Sequence, residues 1–347
     1  MESDRVLPRR RARTGRRGSL ERRAPSEDPV RARHRAQHDR FRLEVRAPCR
    51  QVPGLCLTLG YNTAVFTWFL KRAGIRNLIN MDGIEYRREK WGQLARLWFR
   101  FNERAACRLA DHMLADHPAI KKHLTRIAPA ERITVLPYGA DALPASPVAP
   151  LAALGLEPGR YLTVVARPEP ENSILEIVQG FSARPRGVQL AVLGRYDEAN
   201  RYHRAIKSAA SDEVRFLGAI YDTAVVGALR YHCLAYLHGH QVGGTNPSLV
   251  EAMAAGNAVI AHDNQFNRWV AGEVARYFTS AGHLAEMLDG LLANRDGVER
   301  MRAASRARFS VEFDWRAVSA NYEELLLAYD TPDNFAQAEE AGVVVTD

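Results

Sequence analysis

From Leu55 onward the chain alternates short apolar runs with stretches in which apolar residues return every three or four positions. Short runs rich in Val, Ile and Leu, apolar on both faces, predict strands buried within a sheet. They fall at Asn77–Asn80, His112–Ala115, Ile133–Leu136, Tyr161–Ala166, Val188–Leu193, Val214–Leu217, Cys233–Leu237, Ala258–Ala261 and Arg276–Phe278. Helical periodicity between them predicts Trp91–Leu109, Ser173–Ser182, Leu249–Ala255 and Leu284–Leu292. A last amphipathic helix over Trp315–Tyr329 carries Val318, Tyr322, Leu325 and Leu326 near one side. Strand, helix, strand in repetition is the pattern of parallel α/β sheets. No repeat of the ~20–50-residue solenoid kind is visible.

Residues 139–158, GADALPASPVAPLAALGLEP, interrupt this alternation with Pro, Ala and Gly. The expected organisation is a tail over 1–52, a parallel-sheet domain over 53–140, a linker over 141–158, a second parallel-sheet domain over 159–312, a helix over 313–330 and a tail over 331–347. Two such domains on a short linker place a ligand in the cleft between them, at the carboxyl ends of the strands.

At 347 residues, 46% hydrophobic and 25% charged, the chain has an ordinary globular composition. The net charge of +8 suggests an acidic partner until it is located. Residues 1–50 hold 16 Arg and 7 Asp or Glu, whereas the remaining residues hold 32 basic and 33 acidic side chains. All the excess sits in the tail, whose middle, RRRARTGRRGSLERRAPSEDPVRARHRAQHDR, has no apolar period and is expected to be disordered. The tail lacks the apolar core of a signal peptide and the interleaved aromatics of a nucleic-acid arm, so no nucleic-acid partner is expected. The longest weakly polar run, Leu57–Leu70, falls short of the ~20 apolar residues of a spanning helix. Four cysteines without a C-x-x-C pair fit a reducing compartment, the cytoplasm.

Three segments carry candidate chemistry. In His238–Asn264, HGHQVGGTNPSLVEAMAAGNAVIAHDN, a predicted strand leads into a loop with Gly243, Gly244, Thr245 and Asn246, then a helix with Pro247 in its first turn. Proline suits that turn because its missing N–H is one of the helix's unpaired donors. Glycines let backbone N–H groups approach a ligand, and the helix start adds a positive dipole end, an arrangement suited to phosphate or diphosphate. Glu251, one turn in, is placed to accept from two vicinal hydroxyls, as in a ribose. The plainer reading is a tight turn with a solvated glutamate, and the residues alone leave both open. In Val164–Phe181, VVARPEPENSILEIVQGF, Arg167 lies just past a strand end, where its planar fork suits a diphosphate. A surface ion pair with Glu169 or Glu171 is the alternative. In Asn80–Gly92, NMDGIEYRREKWG, Asp82 and Glu85 either bind an acceptor hydroxyl or sugar, or cap the next helix; capping is what the residues alone favour. Cys233, His238 and His240 match no common zinc site, and no metal is expected. His112, His117 and His123 are expected to serve packing or capping. No G-x-S-x-G, H-E-x-x-H, Walker A or D-x-D pattern occurs.

Taken together, the three segments resemble GT-B glycosyltransferases of family 4 over roughly residues 57–330, and within them the rhamnosyltransferase branch of capsule and exopolysaccharide synthesis. The resemblance implies two Rossmann-like parallel-sheet domains facing a cleft. The first would be incomplete here, with 53–140 the remnant of an acceptor-side domain and 159–312 the donor domain. It implies a nucleotide-diphosphate sugar donor, dTDP-rhamnose first among them, and a glycan or lipid-linked acceptor at the inner membrane face. It also implies retention of configuration and no metal or other cofactor.

Residue by residue, the resemblance makes Glu251 the ribose-binding carboxylate that closes the family's E-x7-E motif, and Arg167 the cation against the diphosphate. Gly243, Gly244, Thr245, Asn246 and Ser248 become phosphate-side contacts, and Glu169 and Asn172 further donor contacts. Arg167, His240 and Asp82 are the implied catalytic residues. A donor phosphate oxygen takes the acceptor's proton in the family's usual scheme, so no enzymic nucleophile is expected. The sequence departs from the family in three places. Gly243 replaces the first glutamate of E-x7-E, and His240 is expected to take over its contact with the donor sugar. Asn172 stands where a lysine is frequent, leaving less positive charge against the diphosphate. Before residue 50 an arginine tail replaces the family's opening strand and glycine-rich loop, so a wrong start or changed reading frame is expected there. An inactive protein that binds only nucleotide is then the alternative to an active transferase.

Overall fold

The structure, a computed structural model, describes residues 54–88 and 91–330. The tails expected over 1–52 and 331–347 lie outside the described residues. The first half forms a four-stranded parallel sheet in the order β1-β2-β3-β4. Its strands are Leu55–Leu59 (β1), Arg76–Asn80 (β2), His112–Ala115 (β3) and Ile133–Val135 (β4). Helices Trp68–Arg72 (α1), Gln93–Leu109 (α2) and Pro118–Leu124 (α3) connect them.

The helix Ala149–Ala153 (α4) leads into the second half, a six-stranded parallel sheet in the order β10-β9-β8-β5-β6-β7. The strands are Tyr161–Val165 (β5), Gln189–Leu193 (β6), Val214–Gly218 (β7), Ala235–His238 (β8), Val259–His262 (β9) and Arg276–Phe278 (β10). Between them run Ile174–Ser182 (α5), Arg201–Ser208 (α6), Thr223–His232 (α7), Pro247–Ala254 (α8) and Gln265–Ala271 (α9). Ala281–Leu292 (α10), Arg295–Glu312 (α11) and Trp315–Tyr329 (α12) complete the chain. Among the described residues no helix is long and apolar enough to cross a membrane.

The two-sided burial inferred from the apolar runs is the physical reason for this architecture. All four residues of β3 and all four of β8 are buried. Leu162, Val164, Val192, Leu237 and Ile260 of the second sheet pack on Ile177, Phe181 and Leu284 from one side. Each such side chain contributes roughly 1.5–3 kcal/mol on burial. Helix α12 crosses back to the first half, where Tyr322, Leu325 and Leu326 cover Leu78, Leu114 and Leu136. Two hydroxyls fix it there: Tyr322 accepts from Asn80 Nδ2 (3.2 Å), and Tyr329 lies 2.8 Å from His112 Nδ1.

Several expectations need correction. Strand β1 was not anticipated: Thr58 interrupts its short apolar run, and it pairs among the described strands with β2 alone. Strand β8 starts at Ala235, two residues late, because Cys233 is the extended cap of α7 and turns its thiol to Asn257 and the Arg230 carbonyl. Helix α5 starts at Ile174, since Ser173 sits in the left-handed region at φ 47°. Helices α3, α6, α7, α9 and α11 were missed; His117, Asn200, Asp222, Asn264 and Asn294 cap them through side chains.

Candidate functional site

A cavity of about 660 Å³ opens at the carboxyl ends of β5 to β8. Strand β5 lies between β6 and β8, so the chain leaves it in both directions. Open α/β sheets bind ligands at such a switch point. The walls are Ala166–Glu169 and Asn172 after β5, Gly194 and Arg195 after β6, Ala219–Tyr221 after β7, His238–His240 after β8, and Asn246, Ser248 and Glu251 at the start of α8.

Local chemistry sets the start of α8. Asn246 is its N-cap and accepts from Ser248 N at 3.0 Å, with Pro247 in the first turn. The Ser248 hydroxyl is used internally: it donates to the Val165 carbonyl (3.0 Å), touches the Tyr236 hydroxyl (2.7 Å) and accepts from Arg230 (3.2 Å). Arg230, in the last turn of α7, also pairs with Glu251 Oε2 at 2.5 Å. The Glu251 carboxylate, still 45% exposed, therefore faces the cavity with one oxygen held.

The loops after β5 and β8 are stitched together. Ser173 Oγ donates to the Gly239 carbonyl (2.8 Å), Gln241 N to the Glu171 carbonyl (2.9 Å) and Gln241 Nε2 to Ser173 Oγ (2.7 Å). Gly239 is required by the contact, because a Cβ there would run into the Asn172 carbonyl oxygen. Asn172 spans the loops: its Nδ2 donates to the Arg167 carbonyl (2.8 Å), and its Oδ1 lies 2.6 Å from His240 Nδ1. Since that Oδ1 can only accept, Nδ1 is placed to donate to it, and the Val242 backbone is a second hydrogen-bond partner of the ring. Burial, reinforced by the charges of Arg88 and Arg167, holds the His240 pKa down at about 4, so the ring is neutral at pH 7.

The first half meets these loops through the ends of β2 and β3. Asp116, 3% exposed, accepts from Thr245 N through Oδ2 (2.9 Å), and its carbonyl accepts from Thr245 Oγ1. Its Oδ1 is buried without a partner among the described residues. Burial raises the Asp116 pKa to about 7, the Thr245 N–H opposing and the charge of Asp82 adding to the rise. Gly244 leaves room for that carboxylate, which a Cβ would strike. Gly83 packs against Gly243. Asp82 accepts from the Tyr138 hydroxyl (3.0 Å), holds a left-handed φ of 41° and has its pKa raised by burial. Non-glycine residues in that region cluster at functional sites.

The structure brings Arg167, Glu169, Asn172, His240, Asn246, Ser248 and Glu251 to one cavity. Gly243, Gly244 and Thr245 do not line it; both hydrogen-bonding groups of Thr245 are turned to Asp116. Asp82 stands across the loop, on the first half. The capping role of Asp82 and Glu85 is corrected: α2 begins after Gly92 without a side-chain cap, and Glu85 accepts from Trp91 Nε1 (3.1 Å) and pairs with Arg88. The alternative for Arg167, an ion pair with Glu169 or Glu171, is not formed among the described residues; Arg88 Nη1 instead lies 3.9 Å from Glu171. Sequence reasoning missed Asp116 and Arg230, and took Arg88 only as one of the charges, with Arg87 and Lys90, behind Asp82 and Glu85. Asp116 directly follows a predicted strand, which was the one signal available; Arg230 reads as an ordinary helix-end charge. Among the described residues no group of three or more His, Cys, Asp or Glu is placed to hold a metal ion.

A family model described as glycosyl transferases group 1 matches residues 154–308, and one described as a domain of unknown function, DUF1972, matches residues 42–141. The phosphatidyl-myo-inositol mannosyltransferases of Mycobacterium leprae and Mycolicibacterium smegmatis are 30% and 33% identical over 164 and 168 residues, in each case 46% of this chain. The chain spans only about two fifths of their length (42% and 40%). Sucrose-phosphate synthase from Thermosynechococcus elongatus superposes with a TM-score of 0.68 at 20% identity, covering 78% of this chain and 72% of that one. Anabaena HepE in complex with UDP superposes at 0.67 with 17% identity, covering 79% of each chain. The fold is thus GT-B, and its second half matches the glycosyl transferases group 1 model over residues 154–308.

Proposed function

We propose that this chain is a glycosyltransferase that moves a sugar from a nucleoside-diphosphate donor, bound in the cavity at the ends of β5 to β8, to an acceptor hydroxyl presented from the first half. The observation that carries the reading is the convergence of Arg167, His240, the start of α8 and Glu251 on one cavity at the sheet's switch point. Anabaena HepE, which shares the fold, is described with UDP and with UDP-glucose, and the mycobacterial relatives are named as mannosyltransferases.

Each group has a task in this reaction. Glu251 accepts from the free hydroxyl or hydroxyls of the donor's pentose while Arg230 holds its other oxygen. The neutral His240 contacts a hydroxyl of the donor sugar. Arg167 and the positive end of α8 stabilise the charge that builds on the leaving diphosphate, where preorganised donors act most strongly. A phosphate oxygen of the donor takes the acceptor's proton on the same face, which retains the anomeric configuration without a protein nucleophile. The protein's own charges serve the diphosphate, and no metal or other cofactor is assigned. Asp82, held by Tyr138, orients the acceptor.

The finer reading is a rhamnosyl donor, dTDP-rhamnose, and a glycan or lipid-linked acceptor of surface polysaccharide at the cytoplasmic membrane face. Thermal-shift screening against dTDP-rhamnose, UDP-glucose and GDP-mannose tests both levels, because stabilisation follows occupancy. Stabilisation by dTDP-rhamnose alone supports the finer reading, and by another donor replaces it. A chain stabilised by none of them is not a donor-binding protein of this kind. Binding without transfer to any acceptor selects the inactive, nucleotide-binding alternative. Arg167→Ala is expected to weaken diphosphate-bearing ligands and leave a bare nucleoside unaffected; equal loss for both contradicts its phosphate role.

A further inference from the structure

A helix on the surface of a globular protein buries one apolar stripe and turns its polar side to water. Helix α2 departs from this. It buries Phe99, Ala106 and Cys107 in the core of the first half, and its outer side carries a second stripe, Leu94, Leu97, Trp98 and Phe101, at helical spacing. These four are between 43% (Trp98) and 85% (Leu94) exposed. Helix α1 runs alongside and adds the exposed Trp68 and Phe69. The two are joined where Trp98 Nε1 donates to the Asn62 carbonyl (2.9 Å) and Lys71 Nζ to the Arg108 carbonyl (3.3 Å). We propose that this face docks on an anionic phospholipid bilayer, its apolar side chains entering the acyl boundary and the cations around them meeting the lipid phosphates. The inference gives the proposed lipid-linked acceptor a docking face for its membrane, and it stands without the donor-site reading.

Charge selects the occupant. The exposed charged side chains of α1 and α2 are Lys71, Arg72, Arg100, Arg104 and Arg108, all cations, and none forms an ion pair among the described residues. The one carboxylate on these helices, Glu103, is buried and turned to His123 (2.9 Å). A second copy of the chain would bring like charges together across the face. Residues 1–50, with 16 Arg against 7 Asp or Glu, carry the same sign and are repelled in the same way. An anionic surface is the complement. Arginine stems lie along apolar surface while their heads reach the phosphates, and tryptophan settles between headgroups and chains. A helix with Trp, Phe and Leu on one side and basic residues beside them lies in the plane of the interface without crossing it. Leu94 also marks the end of α2 next to the loop that carries Asp82, so a docked bilayer borders the place given to the acceptor.

The test is binding of the full chain to vesicles of phosphatidylcholine with about one-third phosphatidylglycerol, read by sedimentation and by quenching of tryptophan with brominated acyl chains. Residues 1–50 contain no tryptophan, so quenching reports on α1 and α2 and not on the arginine tail. Wild type is expected to bind and be quenched, and to bind phosphatidylcholine alone far more weakly. Trp68→Phe with Trp98→Phe still sediments with the vesicles and loses most of the quenching. Leu97→Ser with Phe101→Ser keeps the melting temperature and loses most of the quenching as well. Arg104→Gln with Arg108→Gln raises the lipid concentration needed for quenching by about 10- to 30-fold. Binding without quenching, as by the tail alone, overturns the inference, and so does quenching that survives in the double tryptophan variant. No binding, or equal binding to neutral vesicles, overturns it too. A lipid-free chain that is dimeric, and that Leu97→Ser with Phe101→Ser makes monomeric, gives the face to a second copy instead. If the serine variant fails to fold, the tryptophan variant and the dependence on lipid charge decide. No nucleotide enters these measurements, so their failure leaves the donor site standing, and failure of the donor screen leaves them standing.

Discussion

The two halves of the molecule approach the cavity by different means. The second half builds its share from main-chain proximity. The loops after β5 and β8 are joined by Ser173, Gln241 and Asn172, and α8 starts on its own cap and proline. Residues that act together there lie within two short stretches of sequence. The first half lines no part of the cavity and meets its loops through single side chains: Arg88, from beyond β2, on Glu171, and Asp116, just past β3, on Thr245. A site coded by backbone geometry is local and can be broken by one Cβ, whereas a site coded by long-range convergence is broken by changing one charge.

The largest effect is expected where backbone meets backbone. Gly239→Ala places a Cβ against the Asn172 carbonyl, which neither loop can avoid without moving. Overpacking of this kind costs typically 1–3 kcal/mol and sometimes more, and here about 3 kcal/mol or above is expected because both partners are pinned. Urea unfolding and nucleotide titration read it out. A cost under about 1 kcal/mol with unchanged binding would show that the two loops are not rigidly apposed.

Next comes the contact between the halves. With a pKa of about 7 against an ordinary carboxyl value of 3.8, Asp116 keeps a proton in the folded chain that the unfolded chain has released. Between about pH 4 and pH 7 the native state thus binds more protons, so stability from this group falls as pH rises and levels off above 7. Asp116→Asn keeps an acceptor for Thr245 N and has nothing to titrate. Its stability advantage over wild type is expected to grow from pH 5 to pH 8, by on the order of a few kcal/mol at most. Paired thermal melts across that range decide it, and a constant difference would falsify the raised pKa.

These contrasts explain what the sequence could and could not disclose. Strands such as His112–Ala115 and Gln189–Leu193 are legible because a strand buried on both faces is largely apolar on both. Leu55–Leu59 is half-buried with Thr58 inside it, so the same criterion passes over it. Helix α6 fully buries only Ile206, with Tyr202 and Ala209 half-buried beside it, a narrow stripe among charged residues that was passed over although Asn200 marks its start. At the site, the glycines and Pro247 announce a strand-to-helix turn from neighbouring residues. Nothing in the neighbourhood of Asp116 announces Thr245, 129 residues away, and nothing near Arg230 announces Glu251. The expected capping by Asp82 and Glu85 failed for the same reason: their partners, Tyr138, Arg88 and Trp91, were set by the fold or by a turn that delays the helix to Gln93.

Glu251 sharpens the comparison, since it belongs to the local part of the site but is oriented by a distant arginine. Glu251→Ala is expected to weaken nucleotide binding by roughly 1.5–3 kcal/mol, the range for hydrogen bonds to a charged group, or about 10- to 150-fold in dissociation constant. Unchanged affinity in a folded variant removes Glu251 from the site. Arg230→Met, which frees the carboxylate, is expected to weaken a nucleotide that carries its 3′-hydroxyl more than the 3′-deoxy counterpart. An equal loss for both shows that Arg230 does not orient Glu251 toward the sugar.

The smallest effect tests whether the start of α8 is as local as it looks. Asn246 accepts from Ser248 N, and its side chain is the cap of a helix only eight residues long. Asn246→Ala is expected to cost about 1 kcal/mol, the usual value of a cap, and to lower the melting temperature by roughly 2–4 °C for a chain of this size. Asn246→Ser, which keeps a cap acceptor, restores most of the stability. If the two variants bind nucleotide equally, Asn246 acts by setting the helix end. If Asn246→Ser recovers stability but not affinity, the amide also touches the ligand, and the local half of the site then holds its donor with one more side chain than the cap geometry alone requires.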